Sequence, residues 1–150
     1  KMATATKEEV SHLVSFLIRI KPKPQQRHRS RGRFQYDPSS KDKEEFSLLS
    51  KQYAPRTPTS KAIELDLTFC YKRPRKHYTS KNKILTLKKE APFYKKSRAD
   101  IDNLIKFVAD ALNNSFYVDD AQIVSIRAEK IWGEEDYVLV KIGSTKKYLE

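Results

Sequence analysis

This chain has very little from which to build a cysteine- or histidine-based centre. One cysteine and three histidines stand among 150 residues. Cys70 lies on an apolar, strand-like run, so neither a disulfide within the chain nor a cysteine-based zinc site can form. His12, His28 and His77 are scattered, fit no ligand spacing, and read as surface or phosphate-facing residues. Long hydrophobic runs are also missing. Apolar residues make up 38% of the sequence, and no stretch approaches the length of a membrane-crossing helix. Lys1 to Glu9 shows no signal-peptide pattern.

Positive charge is abundant. Lysine and arginine number 31 against 19 aspartates and glutamates, a net charge of +12. Such an excess favours a polyanionic partner, and nucleic acid is the default. A solubilising surface or an anionic membrane contact would carry charge too. Here, however, the basic residues cluster and interleave with aromatics. One cluster is Arg27, Arg29, Arg31 and Arg33. The other runs from Lys72 to Arg98 through Arg73, Arg75, Lys76, Lys95 and Lys96, with Tyr78, Phe93 and Tyr94 among them. These tyrosines and the phenylalanine either stack on unpaired bases or pack ordinarily.

At this length the chain is expected to be a single small domain over residues 1–150 with one modest core. The first 12 residues read as a flexible leader. Val14–Ile20 reads as a strand, ended by Lys21-Pro22-Lys23-Pro24. Phe34–Tyr36 fits a short edge strand. Asp37–Ser40 is a turn able to cap a helix over about Lys41–Tyr53, which Pro55 and Pro58 stop. Ala62–Tyr71 is the clearest strand, with Ile63, Leu65, Leu67 and Phe69 on one face and Glu64, Asp66 and Thr68 on the other. Residues 72–98 show no strong periodicity and are expected to be a long basic loop that orders on a phosphate backbone. Asp100 to about Leu112 is an amphipathic helix with Leu104, Val108, Ala111 and Leu112 buried and Ile105 at the edge, closed by Asn113 or Asn114. Ala121–Ile131 and Tyr137–Ile142 read as antiparallel partners across a turn, followed by a polar tail over 143–150. The fold class is α/β in the α+β sense: a mixed, mostly antiparallel sheet of about four strands flanked by helices.

Within this basic chain lies a tight acidic group, Asp100-Ile101-Asp102-Asn103-Leu104-Ile105-Lys106, followed by Asp119-Asp120. Carboxylates repel phosphates unless a cation sits between them, so the combination suits a metal-dependent nuclease. Taken alone, an Asp-x-Asp at a helix start is more often capping than catalysis. Three features weigh the other way. Asp102, Lys106 and Asp110 recur at four-residue intervals, which brings an ammonium to the edge of a metal site, although an exposed helix pair has the same spacing. Asp119-Asp120 follows closely and can return towards the helix, although aspartate is common in turns. Basic arms flank the group, and structural caps need none. Magnesium takes carboxylate, water and phosphate oxygens, and a nearby lysine can stabilise transition-state charge. Zinc is disfavoured for want of histidine and cysteine ligands.

At these residues the sequence resembles the RusA family of Holliday-junction resolvases. The likeness lies in Asp100-x-Asp102-Asn103-Leu104-x-Lys106, Asp110-Ala111-Leu112-Asn113 and Asp119-Asp120-Ala121-Gln122-Ile123. It is supported upstream by Lys21-Pro22-Lys23-Pro24 and Arg33-Phe34-x-Tyr36-x-Pro38, and covers about Ser15 to Ile142. Ala99 replaces a proline or basic residue, and Asn113-Asn114 the usual asparagine–glycine. The resemblance implies a small homodimeric endonuclease, using magnesium with manganese as a possible substitute, that cuts four-way DNA junctions by paired symmetric incisions. It implies Asp100, Asp102 and Asp120 as metal-binding and catalytic carboxylates and Lys106 as the catalytic lysine, with Asp119 and Asp110 supporting. A bacterial or phage setting follows, in the cytoplasm beside the nucleoid. A dimer also suits the chemistry, since a two-fold junction needs two cuts and one chain has one acidic group. Ala121–Ile131, with Ile131 and Trp132, offers a candidate dimer face, although Trp132 fits a core equally. The competing readings are a less selective nuclease on flaps or D-loops, and a non-catalytic basic nucleic-acid-binding protein in which the aspartates are caps.

Overall fold

The alternating strand Ala62–Lys72 (β4) takes the most demanding place in the computed structural model, which describes residues 6–149. Its burial alternates along the strand, and it lies inside a four-stranded sheet between two neighbours. The sheet order is β1–β8–β4–β7, where β1 is Thr6–Ile18, β7 is Ile123–Gly133 and β8 is Tyr137–Leu149. β8 runs antiparallel to both β1 and β4, and β7 runs parallel to β4. Two short exposed hairpins and two helices complete the α+β architecture. The hairpins are β2 (Arg29–Arg31) with β3 (Phe34–Tyr36), and β5 (Tyr78–Lys81) with β6 (Ile84–Leu87). The helices are α1 (Ser40–Ser50), continued by a 3-10 turn over Lys51–Tyr53, and α2 (Ile101–Ala111).

A parallel pair needs a crossover, and α2 lies in the connection from β4 to β7. Its buried residues are Leu104, Phe107, Val108, Ala109 and Ala111, a wider stripe than the sequence pattern predicts. All but Ala109 join one cluster with Ile63, Leu65, Leu67, Phe69 and Tyr71 of β4, Val138, Val140 and Ile142 of β8, Phe16 and Ile18 of β1, and Phe46 of α1. Burying each large side chain contributes roughly 1.5–3 kcal/mol. This packing holds α2 rigid and leaves its opposite face to solvent.

Three expectations are corrected. Ala121–Ile131 and Tyr137–Ile142 are not hairpin partners, because β4 lies between them. The short link instead passes the end of β4, where the Arg73 amide donates to the Gly133 carbonyl (3.0 Å) and the Lys72 amide to Asp136 Oδ1 (2.8 Å). The most apolar strand gains a partner on each edge this way. Secondly, the leader over 1–12 and the tail over 143–150 are strand ends where described: Thr6 pairs with Leu149 and His12 with Gly143. Each segment is polar alone and becomes strand only against the other. Residues 1–5 and 150 lie outside the described residues. Thirdly, 72–98 is not an irregular loop. It contains a 3-10 turn at Arg75–His77 and the β5–β6 hairpin, turned by Asn82 and Lys83 at φ 52° and 64°. A turn of that kind is usually announced by glycine, which is missing here.

Candidate active site

The first turn of α2 begins at Asp100, whose extended backbone makes it the N-cap residue. Its carbonyl accepts the Leu104 amide (3.2 Å), but its carboxylate makes no capping bond. The structural reason for aspartate at this position is therefore unused. Asp102, Lys106 and Asp110 are exposed on the helix face opposite Leu104, Phe107 and Val108. From Asp102 to Asp110 this stripe covers roughly 12 Å, at about 1.5 Å per residue. The Gln25 amide donates to the Asn103 carbonyl (2.8 Å) and draws the proline-rich segment alongside.

Beyond α2 the chain turns back sharply. Asn114 takes φ 67°, where the left-handed conformation suits asparagine, and its amide donates to the Tyr117 carbonyl (2.8 Å). The fully buried Tyr117 hydroxyl donates to the Ala109 carbonyl (2.5 Å), pinning the return to the last turn of the helix. Gln122 Nε2 donates to the carbonyls of Thr59 (2.8 Å) and Lys61 (2.9 Å), at the start of β4. Asp119 and Asp120 are thus held between the end of α2 and the sheet. Asp120 lines an open hollow of about 410 Å³ with Arg27, His28, Lys43, Lys106 and Asp110.

The five carboxylates differ in how far they are already engaged. Asp119 is a cap: its Oδ1 accepts the Ala121 amide (3.0 Å), while its own amide donates to Gln122 Oε1 (2.9 Å). The Ala121 amide, helped by Asp120, holds Asp119 below the usual carboxylate range. Asp110 is clamped, with Oδ2 paired to Lys43 Nζ (2.5 Å) and Oδ1 accepting from Asn113 (3.3 Å). Lys43 also pairs with Asp37 (2.5 Å), and the two carboxylates outweigh burial in raising its pKa. Among the described residues Asp102 accepts only from the amide of its neighbour Asn103 (3.0 Å). Among the described residues no backbone amide or cation is bonded to Asp100 or Asp120. Burial, then Asp119 and the charge of Asp110, hold the Asp120 carboxyl above its ordinary range, with Asn113 a partial offset.

Asp100 and Asp102 lie at one end of α2 and Asp120 near the other. Among the described residues, no three carboxylate, histidine or cysteine side chains stand together as a ready-made cage. The donor set is all carboxylate oxygen, which fits a hard divalent ion. Magnesium commonly takes one or two protein carboxylates and completes its shell with water and phosphate oxygens. A cation beside Asp120 would also offset the repulsion that the carboxylates of Asp119 and Asp110 exert there.

The basic residues take several kinds of place. Arg29 and Arg31 lie on β2 and Arg33 beside the turn into β3, all exposed around Gly32 at φ 64°. Lys72, Arg75, Lys76, Lys96 and Arg98 are exposed. Arg73 is partly engaged, donating to the Pro92 carbonyl (2.7 Å). Lys95 departs most from the expectation of a surface phosphate contact: it is only 9% exposed and sits over the rings of Tyr71 and Trp132. Phe93 and Tyr94 form an exposed edge-to-face pair, whereas Tyr78 is half-buried beside Glu134. Ile131 is buried, and Trp132 packs edge-on to Tyr71 and His77. Ile131 was expected to be exposed and is not, and Trp132 takes the core-side place that was its alternative. Lys43 and Tyr117 carry no sequence signal of their roles, since neither belongs to a motif, Lys43 reaches Asp110 across 67 residues, and the Tyr117 bond forms only once the chain has turned back on α2.

Residues 18–143 match the family model described as endodeoxyribonuclease RusA. The chain is also 31% identical over 100 residues to an uncharacterized protein, YqaN, of Bacillus subtilis (strain 168), covering 67% of this chain and 70% of that protein. Among the described residues, no helix is long and apolar enough to cross a membrane. The match takes in the sheet from the end of β1 to β8, both helices and every carboxylate of the site, and the chain belongs to the RusA endodeoxyribonuclease family.

Proposed function

We propose that this protein is a magnesium-dependent endonuclease, able to use manganese, that resolves four-way DNA junctions by paired symmetric incisions as a homodimer. The resemblance assigns metal binding to Asp100 and Asp102, at the start of α2, and to Asp120, near its end, so one or two of them with water and phosphate oxygens would hold an ion, and Lys106 would act as the catalytic lysine. The observation that carries the reading is the sorting of the carboxylates. Asp119 and Asp110 are committed to a cap and a clamp. Of the three that the resemblance implies, Asp100 and Asp120 accept from no backbone amide or cation among the described residues, and Asp102 accepts from the amide of the next residue alone, with neither the lysine clamp of Asp110 nor the reciprocal capping box of Asp119.

When bound, the metal would supply an activated water and neutralise charge on the phosphoryl oxygens. The chain's own groups do the rest. Lys106, on the same face as Asp102 and one turn away, stabilises charge developing on the scissile phosphate. Arg27 and His28 line the hollow beside it and can hold the neighbouring strand. Asp110, through Lys43, fixes the floor between α2 and α1. The basic hairpin β2–β3 and the segment from Lys72 to Arg98 lie along the backbone of the junction arms. The setting is cytoplasmic, close to the nucleoid of a bacterium or its phage.

The test is cleavage of a synthetic four-way junction, a flap and a linear duplex at equal salt, with magnesium and with chelator. Paired symmetric nicks confined to the junction and dependent on the metal are expected. Equal cutting of the flap would make it a broader structure-dependent nuclease. Tight binding without cutting under any divalent metal would make it a binding protein.

A further inference from the structure

A second hollow, of about 440 Å³, opens between the Lys21–Pro24 segment, the end of β4 and the strand of chain leading into Asp100. We propose that it is a subsite for a phosphate group of a nucleic-acid strand, seated directly beside the scissile phosphodiester. The proposal deepens the nuclease reading and rests on it for the strand that carries the phosphate.

Its lining is one-sided in charge. Lys21, Lys72, Arg73, Lys95 and Arg98 all border it, against one carboxylate, Asp136. Its Oδ1 accepts the Lys72 amide at 2.8 Å, and the five cations outnumber its single charge. Among the described residues no carboxylate pairs with Lys21, Lys72, Lys95 or Arg98. Lys95 is the telling residue. Its Nζ lies 4.7 Å from the centroid of the Tyr71 ring and 5.3 Å from that of Trp132, and donates to Ser97 Oγ at 3.1 Å. An ammonium taken so far from water needs a counter-charge, and aromatic faces supply only part of it. Tyr71 adds a second unmet demand, because its hydroxyl is buried and has no hydrogen-bond partner.

A phosphate group meets both demands. It brings negative charge and oxygens that only accept, to a place where lysine, arginine and tyrosine all donate. Pro22, Pro24 and Trp132 give the hollow an apolar wall against which the attached sugar can lie. Lys130 Nζ donates to the carbonyls of Ser97 and Ala99, both at 2.6 Å, and so fixes the segment that forms the far wall. Arg98 and Ala99 line the hollow and the next residue is Asp100, so an occupant is registered against the start of the acidic stripe.

Trp132 is the protein's one tryptophan and borders the hollow, so its fluorescence reports on it directly. The experiment titrates the full chain with an oligothymidylate and with inorganic phosphate, in chelator and at fixed ionic strength. Saturable changes are expected with both, tighter for the oligothymidylate. Lys95→Gln should weaken the oligothymidylate about tenfold and Tyr71→Phe several-fold. Tyr71→Phe should melt no lower than wild type, since it removes a polar group that bonds nothing. A purely structural role for that hydroxyl would leave binding untouched, so this variant keeps the test sharp even where Lys95→Gln fails to fold. Unchanged binding in Tyr71→Phe, or a fluorescence change that never saturates, would overturn the subsite. Saturation by phosphate with no response to the oligothymidylate would overturn its assignment to a strand. Because the titration is run in chelator, a strand-binding hollow in a protein that cuts nothing would leave the subsite standing and sink the nuclease reading instead.

Discussion

A carboxylate clamped by a lysine or closed into a reciprocal capping box has less to offer a metal than one that meets a single neighbouring amide or none. That distinction separates the aspartates here more clearly than their spacing does. The same logic makes Asp37 a stability residue. Burial pushes its pKa up, but hydrogen bonds from Lys43, the Ser39 amide and Gln25 prevail and bring it down to about 2. Its folded value lies below that of an unfolded aspartate, so its contribution is full above about pH 4 and is lost as pH falls towards about 2. Urea midpoints should therefore fall between pH 5 and pH 2.5 by more in wild type than in Asp37→Asn. The difference should be about 1 kcal/mol after allowing for solvent screening of a partly exposed pair. Parallel acid profiles would show that the Lys43 bridge contributes nothing. The aspartate string was legible in the sequence because it is local. The bridge was not, because Lys43 meets Asp110 across 67 residues of chain.

At the scale of elements, period and composition sufficed wherever an element is buried on one side. β4 and α2 were legible from their apolar spacing, and so was a left-handed asparagine at 113 or 114 where the helix ends, which the structure places at Asn114. Pairing was less legible. β7 and β8 are close in sequence and look like a hairpin, yet β4 separates them, because the most apolar strand is best covered on both edges. The β5–β6 hairpin carries no glycine to announce it, because its turn uses Asn82 and Lys83. Among the hydrogen bonds that hold the joint between α2 and β7, the buried one from Tyr117 to the Ala109 carbonyl ties the return to the helix itself. Tyr117→Phe should lower stability by about 1–3 kcal/mol, read as a shift in urea midpoint, because it leaves a buried carbonyl unpaired. It should also lower cleavage at saturating substrate, since it frees the return that carries Asp120. Wild-type stability and rate together would mean that the turn is held by its other bonds alone.

The whole molecule is a rigid sheet-and-helix body with basic projections. The charge excess was legible in composition. Its division into two hairpins and an aromatic-backed hollow was not, since that depends on where β4 and β7 end. The β2–β3 hairpin carries Arg29 and Arg31, with Arg33 at its turn, and stands outside the core cluster. Replacing all three with glutamine should leave the fold intact. It should reduce the slope of log affinity against log salt for duplex arms by roughly 0.9 for each phosphate the hairpin ceases to neutralise. An unchanged slope would remove the hairpin from the DNA footprint. Two copies of such a body would present two acidic stripes to a junction of two-fold symmetry, which analytical ultracentrifugation with and without junction DNA can examine.

The most direct measurement is single-turnover cleavage of a four-way junction by Asp102→Asn beside wild type, with binding followed separately in chelator. Asp102→Asn should bind at least as tightly, because a carboxylate facing phosphate has been neutralised, and should cut at least about 100-fold more slowly. Cutting at the wild-type rate would contradict the assignment of the acidic stripe of α2 as the catalytic centre.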